Sequence, residues 1–144
     1  MANFNGVNNA IIAAGGEAPV TQFGGRLRVQ HETLAYAAQA SGSTITVAQL
    51  PVGAQILGFE TNTDASTSTT TWSVGTAASS ALYTALAAQT TANSVVILPL
   101  KVAGITTAGV SVPLAAATTI ILTTAVGALP ASGQLIFDTY YTVD

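Results

Sequence analysis

Apolar and polar residues alternate with a period of two along much of the chain, and this pattern predicts β-strands. The segments that show it, or that have the composition of a strand, are Arg26 onwards, Thr44–Ala48, Gln55–Thr63, Thr69–Val74, Ser94–Leu98, Thr118–Ala125 and Gln134–Val143, with Gly104–Val112 as a weaker candidate. Turn residues such as Leu50-Pro51-Val52-Gly53 separate these segments, because Pro and Gly favour the backbone angles of a turn. The pattern therefore predicts about eight antiparallel strands.

The strand that begins at Arg26 has two distinct faces in the sequence. Leu27, Val29 and His31 fall on one face, whereas Arg26 and Arg28 fall on the other. Such a pattern predicts a half-buried strand, with the apolar side against the core and the polar side towards solvent.

Residues 79–89 fit two kinds of structure. Leu82, Leu86 and Gln89 have helical spacing, whereas Tyr83 and Thr84 are residues typical of strands. We predict a short helix or an irregular crossing for this segment.

The 144 residues have the length of a single domain. Strands at intervals of about 8–14 residues, with turns between them, predict an all-β sandwich or barrel. Residues 1–24 are rich in Asn, Ala and Gly and end at Gly24-Gly25, so we predict a flexible N-terminal arm of residues 1–24 and a β-sandwich domain of residues 25–144. The arm is either a poorly ordered terminus or a segment that orders on a neighbouring subunit. In the second case Phe4, Ile11 and Ile12 are its candidate contacts.

Charged residues are scarce in this chain. Only 6% of the residues are charged, with three Lys or Arg and six Asp or Glu, whereas about a quarter is typical. Between Asp64 and Asp138, Lys101 is the one charged residue. Strand edges without charge are open to pairing with other strands. We therefore expect these flanks to be covered by barrel closure or by other subunits, as in a structural protein of an assembly.

The composition also argues against several classes of function. Three basic residues are too few for a nucleic-acid surface. The absence of Cys rules out thiolate metal sites, and His31, the one histidine, cannot form a metal cluster alone. The sequence has no nucleophile elbow and no phosphate-binding loop. We predict that the protein is not an enzyme and has no catalytic residues, metal, cofactor or small-molecule substrate.

No membrane segment is predicted either. The apolar stretch Val102–Leu122 is interrupted by Gly104, Gly109 and Pro113 and is rich in Thr and Ser. The N-terminus lacks the basic and apolar regions of a secretory signal.

Two pairs of residues are candidates for contacts with a partner or with another subunit. Arg26 and Arg28 are either solvated charges or anchors for carboxylates of a partner, such as Asp138 or Asp144. Tyr140 and Tyr141 are candidates for core packing or a subunit interface, with sugar stacking as the less favoured reading.

Several short motifs resemble those of capsid cement, or decoration, proteins of tailed bacteriophages. They span about residues 24–144 and are Gly24-Gly25-Arg26-Leu27-Arg28-Val29, Ala40-Ser41-Gly42-Ser43-Thr44-Ile45, Leu50-Pro51-Val52-Gly53-Ala54-Gln55-Ile56-Leu57, Trp72-Ser73-Val74-Gly75-Thr76 and Pro130-Ala131-Ser132-Gly133 with the strand after it. The resemblance implies a jelly-roll-like domain, often a homotrimer, that binds the outside of an icosahedral head. It implies that the arm and the strand edges clamp adjacent major capsid proteins. The protein would then be made in the host cytoplasm and reside on the virion surface.

The sequence is also compatible with two alternatives. One is a phage tail or head–tail connector subunit. The other is a carbohydrate-binding β-sandwich, which predicts exposed aromatic residues on one face.

Overall fold

The computed structural model describes residues 26–67, 69–98, 100 and 112–143. Within these ranges the chain forms strands and no helix. The eight strands are β1 (Arg26–Ala35), β2 (Thr44–Leu50), β3 (Gln55–Thr63), β4 (Thr71–Thr76), β5 (Ser79–Ala87), β6 (Ser94–Leu98), β7 (Thr118–Ala125) and β8 (Gln134–Val143). All pairs between them are antiparallel, which confirms the all-β prediction.

The strands form two four-stranded sheets that pack face to face. Sheet I has the order β1-β8-β3-β6, and sheet II has the order β2-β7-β4-β5. The chain changes sheet at every connection except the β4–β5 hairpin. This order is that of a jelly roll, in which two Greek keys interlock. The predicted jelly-roll-like sandwich is therefore confirmed.

The hydrophobic core lies between the two sheets and contains most of the aromatic rings. Phe59 of β3 packs against Phe137 of β8 at a ring-centroid distance of 5.7 Å and against Tyr83 of β5 at 6.2 Å. Tilted pairs at such distances contribute about 0.5–1.5 kcal/mol beyond the area they bury. Trp72 of β4 and Leu122 of β7 are fully buried beside them. The period of two in β3, β7 and β8 follows from this, because alternate residues point into the core.

Threonine occupies several positions on the inner faces of the strands. Thr61, Thr63, Thr124 and Thr139 are almost completely buried. The Thr63 hydroxyl lies 2.8 Å from the hydroxyl of Tyr36, and the Thr124 hydroxyl donates to a loop carbonyl at 2.9 Å. At Thr63 and Thr124 the β-branched side chain thus packs in the sheet while its hydroxyl contacts a neighbouring loop.

The prediction for residues 79–89 was wrong, because Ser79–Ala87 forms β5. This strand pairs with β4 through Trp72↔Ala87, Val74↔Thr84 and Thr76↔Ser79, with shifts of register between these pairs. Pairing with β4 satisfies the backbone groups, so the helical spacing of the leucines does not decide the structure. The predicted weak strand Gly104–Val112 lies outside the described residues, apart from Val112. The count of eight is thus reached with β5 rather than with that segment.

The prediction that β1 is half buried was also wrong. β1 is an edge strand of sheet I, and nearly all its residues are exposed. Val29 lies opposite Tyr140 of β8, and Glu32 lies opposite the buried Phe137. Because directly paired residues share a face, the side with Glu32 faces sheet II and the apolar side with Val29 faces outwards. Gln30, also on the inner side, accepts a hydrogen bond from a backbone N–H of β2 at 3.1 Å.

The predicted arm, residues 1–24, lies outside the described residues together with Phe4, Ile11 and Ile12. In the part of the chain that the structure describes, no helix is long and apolar enough to cross a membrane.

Candidate functional site

The outer face of sheet I carries a cluster of large apolar side chains. Leu27, Val29, Leu57, Val95 and Ile97 are between 50% and 75% exposed. They come from β1, β3 and β6, and Tyr140 of β8 lies between them in the sheet. We call these six residues the apolar face. Exposed apolar clusters of this kind mark interaction sites in soluble proteins.

The outer face of sheet II has a different composition. Thr44, Thr46, Thr119 and Thr123 of β2 and β7 point outwards, as their register with each other and with the buried residues shows. The two outer surfaces of the sandwich are therefore not equivalent, and sheet I carries the more apolar one.

A row of polar groups crosses the middle of the outer face of sheet I. His31, Asp138 and Glu60 are consecutive neighbours across β1, β8 and β3, and the apolar Ile97 of β6 lies next to Glu60. The Nδ1 atom of His31 lies 2.6 Å from the Asp138 carboxylate. The hydroxyl of Tyr140 donates to Glu60 over a longer distance of 3.4 Å. Partial burial and the nearby carboxylates of Glu60 and Asp138 raise the pKa of Tyr140, so the phenol stays protonated to higher pH than a free tyrosine.

This row brings two carboxylates together on one face. Glu60 and Asp138 are directly opposite each other on β3 and β8, and like charges in such a pair destabilise a sheet. His31 contacts Asp138, on the side away from Glu60. The face thus combines apolar side chains with an acidic centre, a combination that suits a partner with apolar and basic groups.

A groove of about 290 Å³ lies in this face over Gly58. Leu27, Leu57, Ile97 and Tyr140 line it together with Glu60. Gly58 follows a β-bulge, where the register with β8 shifts between residues 56 and 58. A Cβ atom added at Gly58 would meet no atom within 4 Å, so the missing side chain is what leaves this space open.

The structure separates the site residues that the sequence suggested. Arg26 and Arg28 are exposed at the start of β1, and Arg28 lies opposite Tyr141 on the side of β1 that faces sheet II. Tyr141 packs against the core, whereas Tyr140 is on the apolar face. The carboxylate of Asp138 contacts His31, and Asp144 lies outside the described residues.

The sequence reasoning missed the contribution of β6 to this face. Val95, Val96, Ile97 and Leu98 form a continuous apolar run. Such runs are typical of strands that are covered on both sides, yet β6 is an edge strand whose outer residues are exposed. The continuous apolar run was therefore the signal in the sequence that both sides of β6 are apolar.

The polar groups of the described residues do not form a metal centre. No group of three or more His, Asp or Glu side chains in residues 26–67, 69–98 and 112–143 is arranged to hold an ion. The arrangement suits binding of another surface through apolar contact and charge.

The chain is similar to chains of phage capsids. It matches a chain of the cyanophage Pam1 capsid asymmetric unit with a TM-score of 0.66 and 25% identity, over 88% of this chain and 91% of that chain. It matches a chain of the capsid of Ralstonia phage GP4 with a TM-score of 0.60 and 16% identity, over 83% and 86% of the two chains. It matches a chain from the acidic stable capsid structure of Helicobacter pylori bacteriophage KHP30 with a TM-score of 0.56 and 10% identity, over 81% of this chain and 87% of that chain. The sequence matches no protein-family model and no curated protein.

These matches support a protein related to phage capsids. The GP4 and KHP30 chains share the fold, and the Pam1 chain adds sequence identity over nearly the full length of both chains. Because the overlap is almost complete on both sides, the Pam1 chain is about as long as this one and consists of a similar jelly roll.

Proposed function

We propose that this protein is a structural component of a phage virion that binds the outside of the capsid and stabilises contacts between copies of the major capsid protein. The observation that carries the proposal is the likeness to the Pam1 capsid chain over 88% of this chain and 91% of that one. A match of this extent involves the whole domain rather than a fold shared with part of a larger protein. It supports a capsid component built from one small jelly roll.

The apolar face provides a physical basis for attachment. The exposed parts of side chains such as Leu27, Val95 and Ile97 add no packing energy to the free protein, but on a partner they contribute about 25 cal/mol for each Å² of apolar area buried. Association costs remove part of this gain. A protein present in many copies on a symmetric shell compensates for weak single contacts through multivalency.

The scarcity of charge fits the same role. Desolvating charged groups at an interface costs free energy unless they are paired, and 6% charged residues leave few such groups to desolvate. The homotrimer belongs to the proposal because the sequence resemblance implies it, and light scattering of the purified protein measures it directly.

The carbohydrate-binding alternative receives less support from the positions of the aromatic residues. A sugar-binding platform needs exposed rings on one face. Tyr36, Phe59, Trp72, Tyr83 and Phe137 are buried. Of the other two rings in the described part of the chain, Tyr141 packs against the core, which leaves Tyr140 as the ring on the apolar face.

Quantitative mass spectrometry of gradient-purified particles tests the proposal. The particles come from the phage that encodes this chain, and the amount of the protein is compared with that of the major capsid protein. We expect a fixed ratio of this protein to the major capsid protein, with copy numbers that match the symmetry-related positions of the shell. A few copies in each particle would support a tail or connector subunit instead, and absence from the particles would overturn a virion role.

A further inference from the structure

We propose that the groove over Gly58 receives a lysine or arginine side chain of the major capsid protein. The aliphatic part of that side chain lies against Leu27, Leu57 and Ile97, and its charged head reaches Glu60. This inference rests on the proposed function, because that function supplies the partner.

The shape and lining of the groove match a long basic side chain. Its volume of about 290 Å³ accommodates such a side chain, and its walls are mainly apolar. Lysine and arginine pack their methylene groups on apolar surface while the charged end stays near polar groups. Glu60 supplies a carboxylate within the same lining, and Tyr140 supplies an aromatic ring, which attracts a cation placed over its face.

The charges around the groove indicate a cation from outside this face. Glu60 lies directly opposite Asp138, and Asp138 is paired with His31 at 2.6 Å. Among the described residues, Tyr140 donates a hydrogen bond to Glu60 at 3.4 Å, which is long for an O–H donor. Arg28 lies on the other side of β1. An incoming cation would offset the repulsion between the two carboxylates and pair with Glu60.

A second copy of this chain fits the face less well. In a two-fold contact between identical faces, the same patch meets itself, so each Glu60–Asp138 pair would approach the same acidic pair of the partner. The apolar residues favour contact, but the acidic centre selects a surface with basic groups. The major capsid protein is therefore the occupant that we assign.

Binding of purified variants to particles that lack this protein tests the inference. Particles are prepared from a phage with the gene deleted, and binding is measured by co-sedimentation. Gly58→Leu fills the groove with little strain, since the added Cβ meets nothing within 4 Å and Gly58 is not among the glycines with positive φ. We expect it to weaken binding about 100-fold, as for loss of a central contact. Thr46→Leu, on the exposed outer face of sheet II, is the matched control and should bind like the wild type.

Removing the charge at the groove is the second test. Glu60→Gln keeps the shape of the side chain, and we expect it to weaken binding about tenfold and to reduce the salt dependence of binding. Glu32→Gln removes an exposed acid on the inner side of β1 and is the matched control. Thermal unfolding of both variants verifies that they fold.

The outcomes separate this inference from the proposed function. If the wild type does not bind the particles, the proposed function fails. If it binds and both Gly58→Leu and Glu60→Gln bind equally well, the groove is not the contact and only this inference is overturned. A double variant Arg26→Gln and Arg28→Gln should bind like the wild type. The contrary result is that this double variant loses as much binding as Glu60→Gln, and that combining it with Glu60→Gln causes no further loss. The cation would then come from a second copy of this chain, and the choice of partner would be overturned.

Discussion

Replacing Ile97 with Thr measures whether the apolar face is open in the free protein. Ile97 is 75% exposed on the outer side of β6, whereas its neighbour Leu98 is 2% exposed and faces the core. Fully burying such a side chain is worth about 1.5–3 kcal/mol, so the hidden quarter of Ile97 accounts for about 0.5 kcal/mol. Threonine keeps the β-branch that favours a strand. Leu98→Ala, the buried reference, should cost about 3 kcal/mol through lost contacts and a cavity.

Thermal unfolding of the purified protein distinguishes these values. For a domain of this size, 1 kcal/mol changes Tm by about 4 °C. Ile97→Thr should therefore lower Tm by about 2 °C, and Leu98→Ala should lower it by about 12 °C. Equal losses for the two variants would show that the outer side of β6 is covered within the free protein and is not available to a partner.

Three further predictions concern other parts of the molecule. Gly75→Ala should destabilise the domain by about 3 kcal/mol in urea unfolding, since its Cβ would lie 2.0 Å from a backbone oxygen of Ser79, whereas Gly58→Ala should be neutral or slightly stabilising. Burial raises the pKa of Tyr83 above 10.0, so the unfolded chain loses this proton first and stability should fall as the pH rises beyond about 10. Tyr83→Phe should reduce that fall, and urea midpoints at about pH 9 and about pH 11 measure it. Deletion of residues 1–24 should leave the β domain folded, by circular dichroism, and weaken particle binding, and undiminished binding would contradict a role for the arm.

Several strands were predictable from local sequence alone. Gln55–Thr63, Ser94–Leu98, Thr118–Ala125 and Gln134–Val143 have the same bounds in the sequence pattern and in the structure. In these segments the period of two or the β-branched composition agrees with the turn residues at the ends. The bounds of these strands can be predicted because the local preferences of the residues agree with the final fold.

The faces of the edge strands were not predictable in the same way. The alternation in β1 shows that Leu27 and Val29 share a face, but it does not show whether that face points inwards. The usual assumption that the apolar side is buried failed. In the pairing of β1 with β8, Glu32 lies opposite the buried Phe137, so the side of β1 with Glu32 faces inwards and the side with Val29 faces outwards. Local sequence does not distinguish an apolar side that packs in the core from one that points outwards.

The groove depended on information that a single sequence does not carry. Gly58 marks it only after the β3–β8 register is known, because the bulge sets Leu57 and Gly58 beside Tyr140. Glu60 and Asp138 are far apart in the sequence and become neighbours only through the pairing of β3 with β8. The scarcity of charge had pointed to contacts with other subunits, but not to this face.

Electron cryo-microscopy of purified virions tests the proposed attachment to the shell. We predict ordered density for this jelly roll on the outside of the shell, with the apolar face of sheet I against the major capsid protein and a basic side chain in the groove over Gly58. Virions without this density, or jelly rolls whose sheet I faces away from the shell with Leu27 and Ile97 in solvent, would contradict it.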